Sequence, residues 1–183
     1  MSRAHLLTWT TYGSWLPGDV RGSVTSVRDE PGPRRRHNAP GTPYDPGMTG
    51  LNRAARAALR GPVVFLDEAQ AQCLVGQFQV TATTRGWRLL AGAVMRNHVH
   101  LVVVAGDGID PATMLRDFKS YGSRTLNLSW PRPASGTWWT ESGSRRRLPN
   151  ENAIRAAVRY VENQKFSVAV WVEKSEREET SGG

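Results

Sequence analysis

The chain has 183 residues, 39% of them hydrophobic, which suits one globular domain and excludes a disordered polymer. Its formal charge of +8 points to a polyanionic partner such as nucleic acid and says little about fold. No apolar run nears the ~18 residues of a membrane helix, the N-terminus lacks a secretory pattern, and one cysteine excludes an internal disulfide or a cysteine-bound zinc. A cytoplasmic protein without membrane contact is expected, with Cys73 as a buried core thiol.

Ala4 to Thr11 mixes aliphatic, aromatic and Thr residues and reads as a strand. It runs into a turn-rich stretch, and from about residue 12 to residue 50 the chain is dense in Gly, Pro, Asp and Arg. A loop this long is more often functional than filler, and it carries Arg34, Arg35 and Arg36. A short helix is expected over Leu51–Arg60 and a longer one over Asp67–Thr84, where Ala69, Cys73, Leu74, Phe78 and Val80 approximate a stripe. Trp87–Met95 and Asn97–Ala105 read as adjacent strands, the second apolar on both faces beyond its histidines, as in a covered central strand.

A helix over Pro111 to about Asn127 places Met114, Leu115, Phe118 and Tyr121 on one face. Irregular structure or short strands fill Ser129–Pro149. Asn150 is a good N-cap for a last helix running to about Lys165, with Glu151 in its first turn. Phe166–Val172 suits a further strand, and residues 174–183 a frayed tail. Strands adjacent in sequence imply antiparallel pairing, so the class expected is α+β, as one domain over residues 1–173.

His98 and His100 carry the first chemical signal. Residues two apart on a strand project from the same face, roughly 7 Å apart at the backbone, so both imidazoles can converge on one metal ion. The plainer reading is two polar residues at a strand end. Two histidines need a third ligand. Tyr160 and Gln164 stand at i and i+4, so a helix there would offer an amide oxygen beside a phenol. Ala153, Ala156 and Ala157 leave the surface near Tyr160 low. The plainer reading again is packing for Tyr160 and solvation for Gln164.

Together, Asn97-His98-Val99-His100-Leu101-Val102-Val103 and the later Tyr160-Val161-Glu162-Asn163-Gln164 resemble the single-tyrosine transposases of the HUH nuclease superfamily. These include the REP-associated tyrosine transposases of bacterial chromosomes. The resemblance runs from the first strand through Gln164, and the opening Thr10 to Asp19 adds to it. It implies a ferredoxin-like α+β fold with a central antiparallel sheet. It also implies metal ligation by His98, His100 and Gln164, with magnesium or manganese as the ion, and nucleophilic attack by Tyr160 on a DNA phosphate. The enzyme implied cleaves and rejoins single-stranded or hairpin DNA through a 5′-phosphotyrosine, near the nucleoid, as a monomer or a homodimer. Tyr121 is a rival nucleophile, disfavoured because it shares a face with Met114 and Phe118; Tyr12 and Tyr44 fall in loops.

For DNA contact, Arg34, Arg35, Arg36, Arg145, Arg146 and Arg147 form clusters, with Lys119 and Arg124 on the preceding helix. Trp138 and Trp139 are candidate base-stacking faces. Two other functions fit the same residues: a replication-initiator or relaxase-like nicking enzyme, and a nucleic-acid-binding module without turnover.

Overall fold

In the computed structural model, which describes residues 1–16, 19 and 49–174, the sheet grows outward from two central strands. The elements are β1 (Ser2–Thr10), α1 (Thr49–Ala57), α2 (Glu68–Thr84), β2 (Arg88–Met95), β3 (His98–Gly106), α3 (Pro111–Ser129), β4 (Ser144–Leu148), α4 (Glu151–Glu162) and β5 (Ser167–Val172). Five strands lie in the order β4-β1-β3-β2-β5, every neighbouring pair antiparallel. The run from β1 through α2, β2, β3 and α3 to β4 is the βαββαβ arrangement of ferredoxin-like folds. Helix α4 and strand β5 are additions to it. The α+β expectation holds.

Alternation along the strands sorts side chains onto two unlike faces. On one face Leu7, Trp9, Val99, Leu101 and Val103 meet α2 and α3 in a large core. Its centre is aromatic: Trp9 meets Phe78 edge-on at 5.6 Å between ring centroids, and Phe78 meets Phe118 in the same way at 5.8 Å. On the other face Ala4, Ala91, Ala93, Met95 and Val102 are covered by Ala157 and Val161 of α4. Small residues on both sides let α4 lie close to the sheet.

Each long helix begins on a residue that satisfies its first amides. Asp67 accepts from the Gln70 amide at 2.8 Å, and the Gln70 side chain accepts from the Asp67 amide, closing a capping box on α2. Asp110 caps α3 through Ala112, with Pro111 at the first helical position. Asn150 caps α4 through Ala153 at 2.9 Å.

Three expectations need correction. Helix α4 ends at Glu162, short of Lys165: the Asn163 amide bonds the Arg159 carbonyl at the C-cap, and the chain then turns into β5. Gln164 therefore stands just beyond the helix. Cys73 is half-buried, not fully buried. Trp138 and Trp139 are both core residues, each 4% exposed. Most of the long loop from 12 to 50, with Arg34, Arg35, Arg36 and Tyr44, lies outside the described residues, as does nearly all of the tail. Among the described residues no helix is long and apolar enough to cross a membrane.

Candidate active site

The register of β1 on β3 sets Thr8 opposite His100 and Thr10 opposite His98. All four therefore belong to the sheet face that α4 covers. The two imidazoles lie side by side, 4.9 Å between centroids, with their planes nearly perpendicular. Each has its Nδ1 occupied. His98 Nδ1 is 2.7 Å from Asn97 Oδ1, an acceptor, so this nitrogen donates. His100 Nδ1 is 2.7 Å from the Thr8 hydroxyl, which can accept from it and leave the His100 Nε2 lone pair available. Bonds of this kind fix the tautomer and the ring plane of a metal-ligating histidine.

Their environments differ. His100 is 6% exposed, and burial, reinforced by the neighbouring His98, pushes its pKa down to about 4. It is neutral at physiological pH, as a ligand must be. His98, at the mouth of the strand, is half-buried.

Tyr160 comes to this pair from α4. Its ring stands 5.3 Å from that of His100, tilted edge-on, while 52% of the residue remains exposed. A phenol beside two oriented imidazoles and open to solvent can meet a substrate from outside. Gln164 follows at the helix end, where its Nε2 donates to the Tyr160 carbonyl at 3.0 Å. That bond consumes the amide nitrogen and leaves Oε1 as the atom able to ligate. Among the described residues no three of His, Cys, Asp and Glu cluster as a metal site. Imidazoles and an amide oxygen are donors of the kind that divalent ions take.

The remaining candidates scatter. Arg146 pairs with Leu6 and so shares the histidine face, whereas Arg145 and Arg147 pair with Leu7 and His5 on the opposite one. Arg124 lies over the Tyr121 ring at 5.1 Å, and Arg85 flanks the same ring at 5.6 Å. Tyr121 thus stands on α3, across the sheet from the histidines. The Tyr12 hydroxyl accepts from the Arg60 amide.

Lys119 departs from the expectation of a phosphate contact. Its Nζ donates to the carbonyls of Thr140, Glu141 (2.9 Å) and Ser142 (3.3 Å), tying α3 to the segment before β4. Burial lowers its pKa to about 8 against the opposing pull of Glu141. The two tryptophans likewise offer no stacking surface. Trp138 donates to Asn127 Oδ1 and Trp139 to the Lys119 carbonyl, and Trp139 meets Trp9 edge-on at 6.0 Å. Sequence reasoning missed Thr8 and Asn97, the partners of the two histidines. Asn97 was readable as a polar neighbour of His98; Thr8 becomes visible only once the β1–β3 register is known.

A ferredoxin-like sheet with paired histidines on one strand and a tyrosine helix over them defines a recognisable class. Residues 63–164, more than half of the chain and including His98, His100, Tyr160 and Gln164, match the family model "Transposase IS200 like". The chain belongs to that family. Among solved structures it is similar to a REP-associated tyrosine transposase described as bound to a REP hairpin, at 12% identity and a TM-score of 0.46, covering 87% of this chain and 64% of that one. It thus spans less than two thirds of that protein's length. It is also similar to a putative transposase from Deinococcus radiodurans R1, at 18% identity and a TM-score of 0.46, covering 90% and 92% of the two chains. No curated protein matches it.

Proposed function

We propose that the chain is a transposase that cleaves and rejoins single-stranded DNA, hairpin-forming strands in particular, with Tyr160 as nucleophile. The observation that carries this reading is the contact of the Tyr160 ring with His100 within one chain. The Tyr160 oxygen attacks a backbone phosphorus, and the bond from phosphorus to the 3′ oxygen breaks. The products are a 5′-phosphotyrosine and a 3′-hydroxyl, the phenolic proton leaving to solvent as the 3′ oxygen gains one. The phosphodiester's energy is conserved, so a second 3′-hydroxyl can reverse the step and join a new strand.

A protonated phenol is a poor nucleophile, so the attacking oxygen must lose its proton as its bond to phosphorus forms. A divalent ion, magnesium or manganese, would be held by His98, His100 and Gln164 and would polarise the phosphate and offset its developing charge. The chain's own part is orientation. Thr8 and Asn97 fix the imidazoles, burial keeps His100 neutral, and α4 sets the tyrosine beside them. Arg146, on the same sheet face, is the candidate among the β4 arginines for a phosphate contact.

The test is a denaturing gel of labelled single-stranded hairpin DNA incubated with protein and manganese. Wild type should give a covalent protein–DNA adduct and Tyr160→Phe none. An adduct undiminished in that variant would remove Tyr160 from the role. Tight binding with no adduct from either protein would identify a binding module.

A further inference from the structure

Of the four phenylalanines in the chain, Phe78 and Phe118 are core residues and Phe65 and Phe166 are on the surface, 57% and 85% exposed. Both exposed rings line one open cleft of about 540 Å³, whose other walls are Met95, Arg96, Asn97 and His98. That volume falls in the ~300–1,000 Å³ range of small-molecule sites. The cleft is therefore continuous with the proposed active site through His98.

Its walls are held by backbone. Phe65 lies between Val64, whose amide donates to the Tyr12 carbonyl at 3.0 Å, and Leu66, whose amide donates to the Arg96 carbonyl at 2.7 Å. The Val64 and Leu66 side chains are buried, so alternation turns Phe65 outward. Phe166 immediately precedes β5, whose Ser167 pairs with Met95 at the far wall of the cleft. Arg96 is exposed and forms no ion pair with any carboxylate among the described residues. Two exposed apolar rings, an exposed cation and a neighbouring phosphate-handling site are the recurring parts of a single-strand binding surface.

We propose that this cleft receives an unpaired nucleobase next to the scissile phosphate, stacked on Phe65 and Phe166, with Arg96 on the adjoining phosphate. The assignment rests on the reading of the histidine face as the cleavage site and adds to it a subsite that holds the strand in place. Stacking is tolerant of base identity, so the subsite selects for an unpaired base more than for a sequence.

The experiment compares binding of an oligothymidylate with that of an abasic strand of equal length, by fluorescence anisotropy in EDTA and low salt, where no cleavage competes. Wild type should bind the oligothymidylate about tenfold more tightly or better. The Phe65→Ala/Phe166→Ala double variant should lose that preference, and the Phe65→Tyr/Phe166→Tyr variant should keep it. Arg96→Ala should weaken both strands alike. Equal affinities in wild type, or a preference that survives in the double alanine variant, would overturn the proposal. Adduct formation at Tyr160 is read separately. An adduct without base preference removes the cleft and keeps the nucleophile; base preference without an adduct keeps the cleft and removes the nucleophile.

Discussion

At the scale of single residues, the site depends on groups that do no chemistry themselves. The Thr8 hydroxyl holds His100 Nδ1 at 2.7 Å. Thr8→Val keeps the shape and removes the bond, so His100 loses its preferred tautomer and ring plane. Loss of such a partner lowers metal affinity or activity by about 10–100-fold, and that is the expectation here, with the fold intact and Thr8→Ser restoring function. Calorimetric titration with manganese, alongside the adduct assay, checks it; unchanged affinity in Thr8→Val would mean the hydroxyl does not orient the ring. A second buried histidine makes a different prediction. His5 is 5% exposed, and its Nδ1 has no hydrogen-bond partner among the described residues. Burial, then Arg147 across the ladder, then Arg3 along the strand hold its pKa below 6.5. The neutral form is favoured in the folded chain, so His5 contributes stability in full above pH 6.5 and loses it progressively as pH falls below that value. His100 shifts in the same direction, so His5 is isolated by difference. Urea midpoints measured at neutral and mildly acid pH should fall more steeply for wild type than for His5→Gln. Parallel falls would show that another group sets the acid response.

At the scale of elements, the join between β4 and β1 is the tightest place near the site. A Cβ at Gly143 would lie 2.7 Å from the Thr8 carbonyl oxygen and 2.9 Å from Leu115 Cδ2, with β1 backbone on one side and the core on the other. Gly143→Ala must therefore push β4 away from β1 at Thr8. The expected cost is about 1–3 kcal/mol in chemical denaturation, accompanied by reduced activity because Thr8 shifts with its strand. An alanine variant as stable as wild type would mean this end of β4 yields freely. Most of these elements are legible in the sequence, since period-two and period-3.6 patterns and the caps Asp67, Asp110 and Asn150 are local signals. The His98–His100 pair is legible for the same reason. Facing is not a local property. Nothing in Lys119 says that its ammonium turns inward to three carbonyls, and nothing in Trp138 and Trp139 separates a stacking surface from a core pair. The end of α4 is hidden too. Glu162 to Lys165 carries neither Gly nor Pro, yet the chain leaves the helix at Asn163 on its way into β5.

At the scale of the whole molecule, one chain brings the proposed site together. The histidines come from β3, their partners from β1 and the β2–β3 turn, and Tyr160 from α4, all on the face that α2 and α3 leave open. Related chemistry can be organised with the tyrosine helix of one subunit serving the histidines of another, and the two designs differ in what a mixture of variants does. If each chain builds its own site, mixing Tyr160→Phe with His98→Ala gives no active site, since every chain lacks one essential group. If helices are exchanged between subunits, the same mixture pairs an intact tyrosine with intact histidines and recovers a share of the wild-type signal. The His100–Tyr160 contact at 5.3 Å within a single chain favours the first design. The expected result is therefore no covalent adduct from the mixture at any ratio, against a robust signal from wild type at the same total concentration. Recovered adduct would instead mean that α4 leaves its own sheet when DNA binds, and that the contact seen here is a resting arrangement.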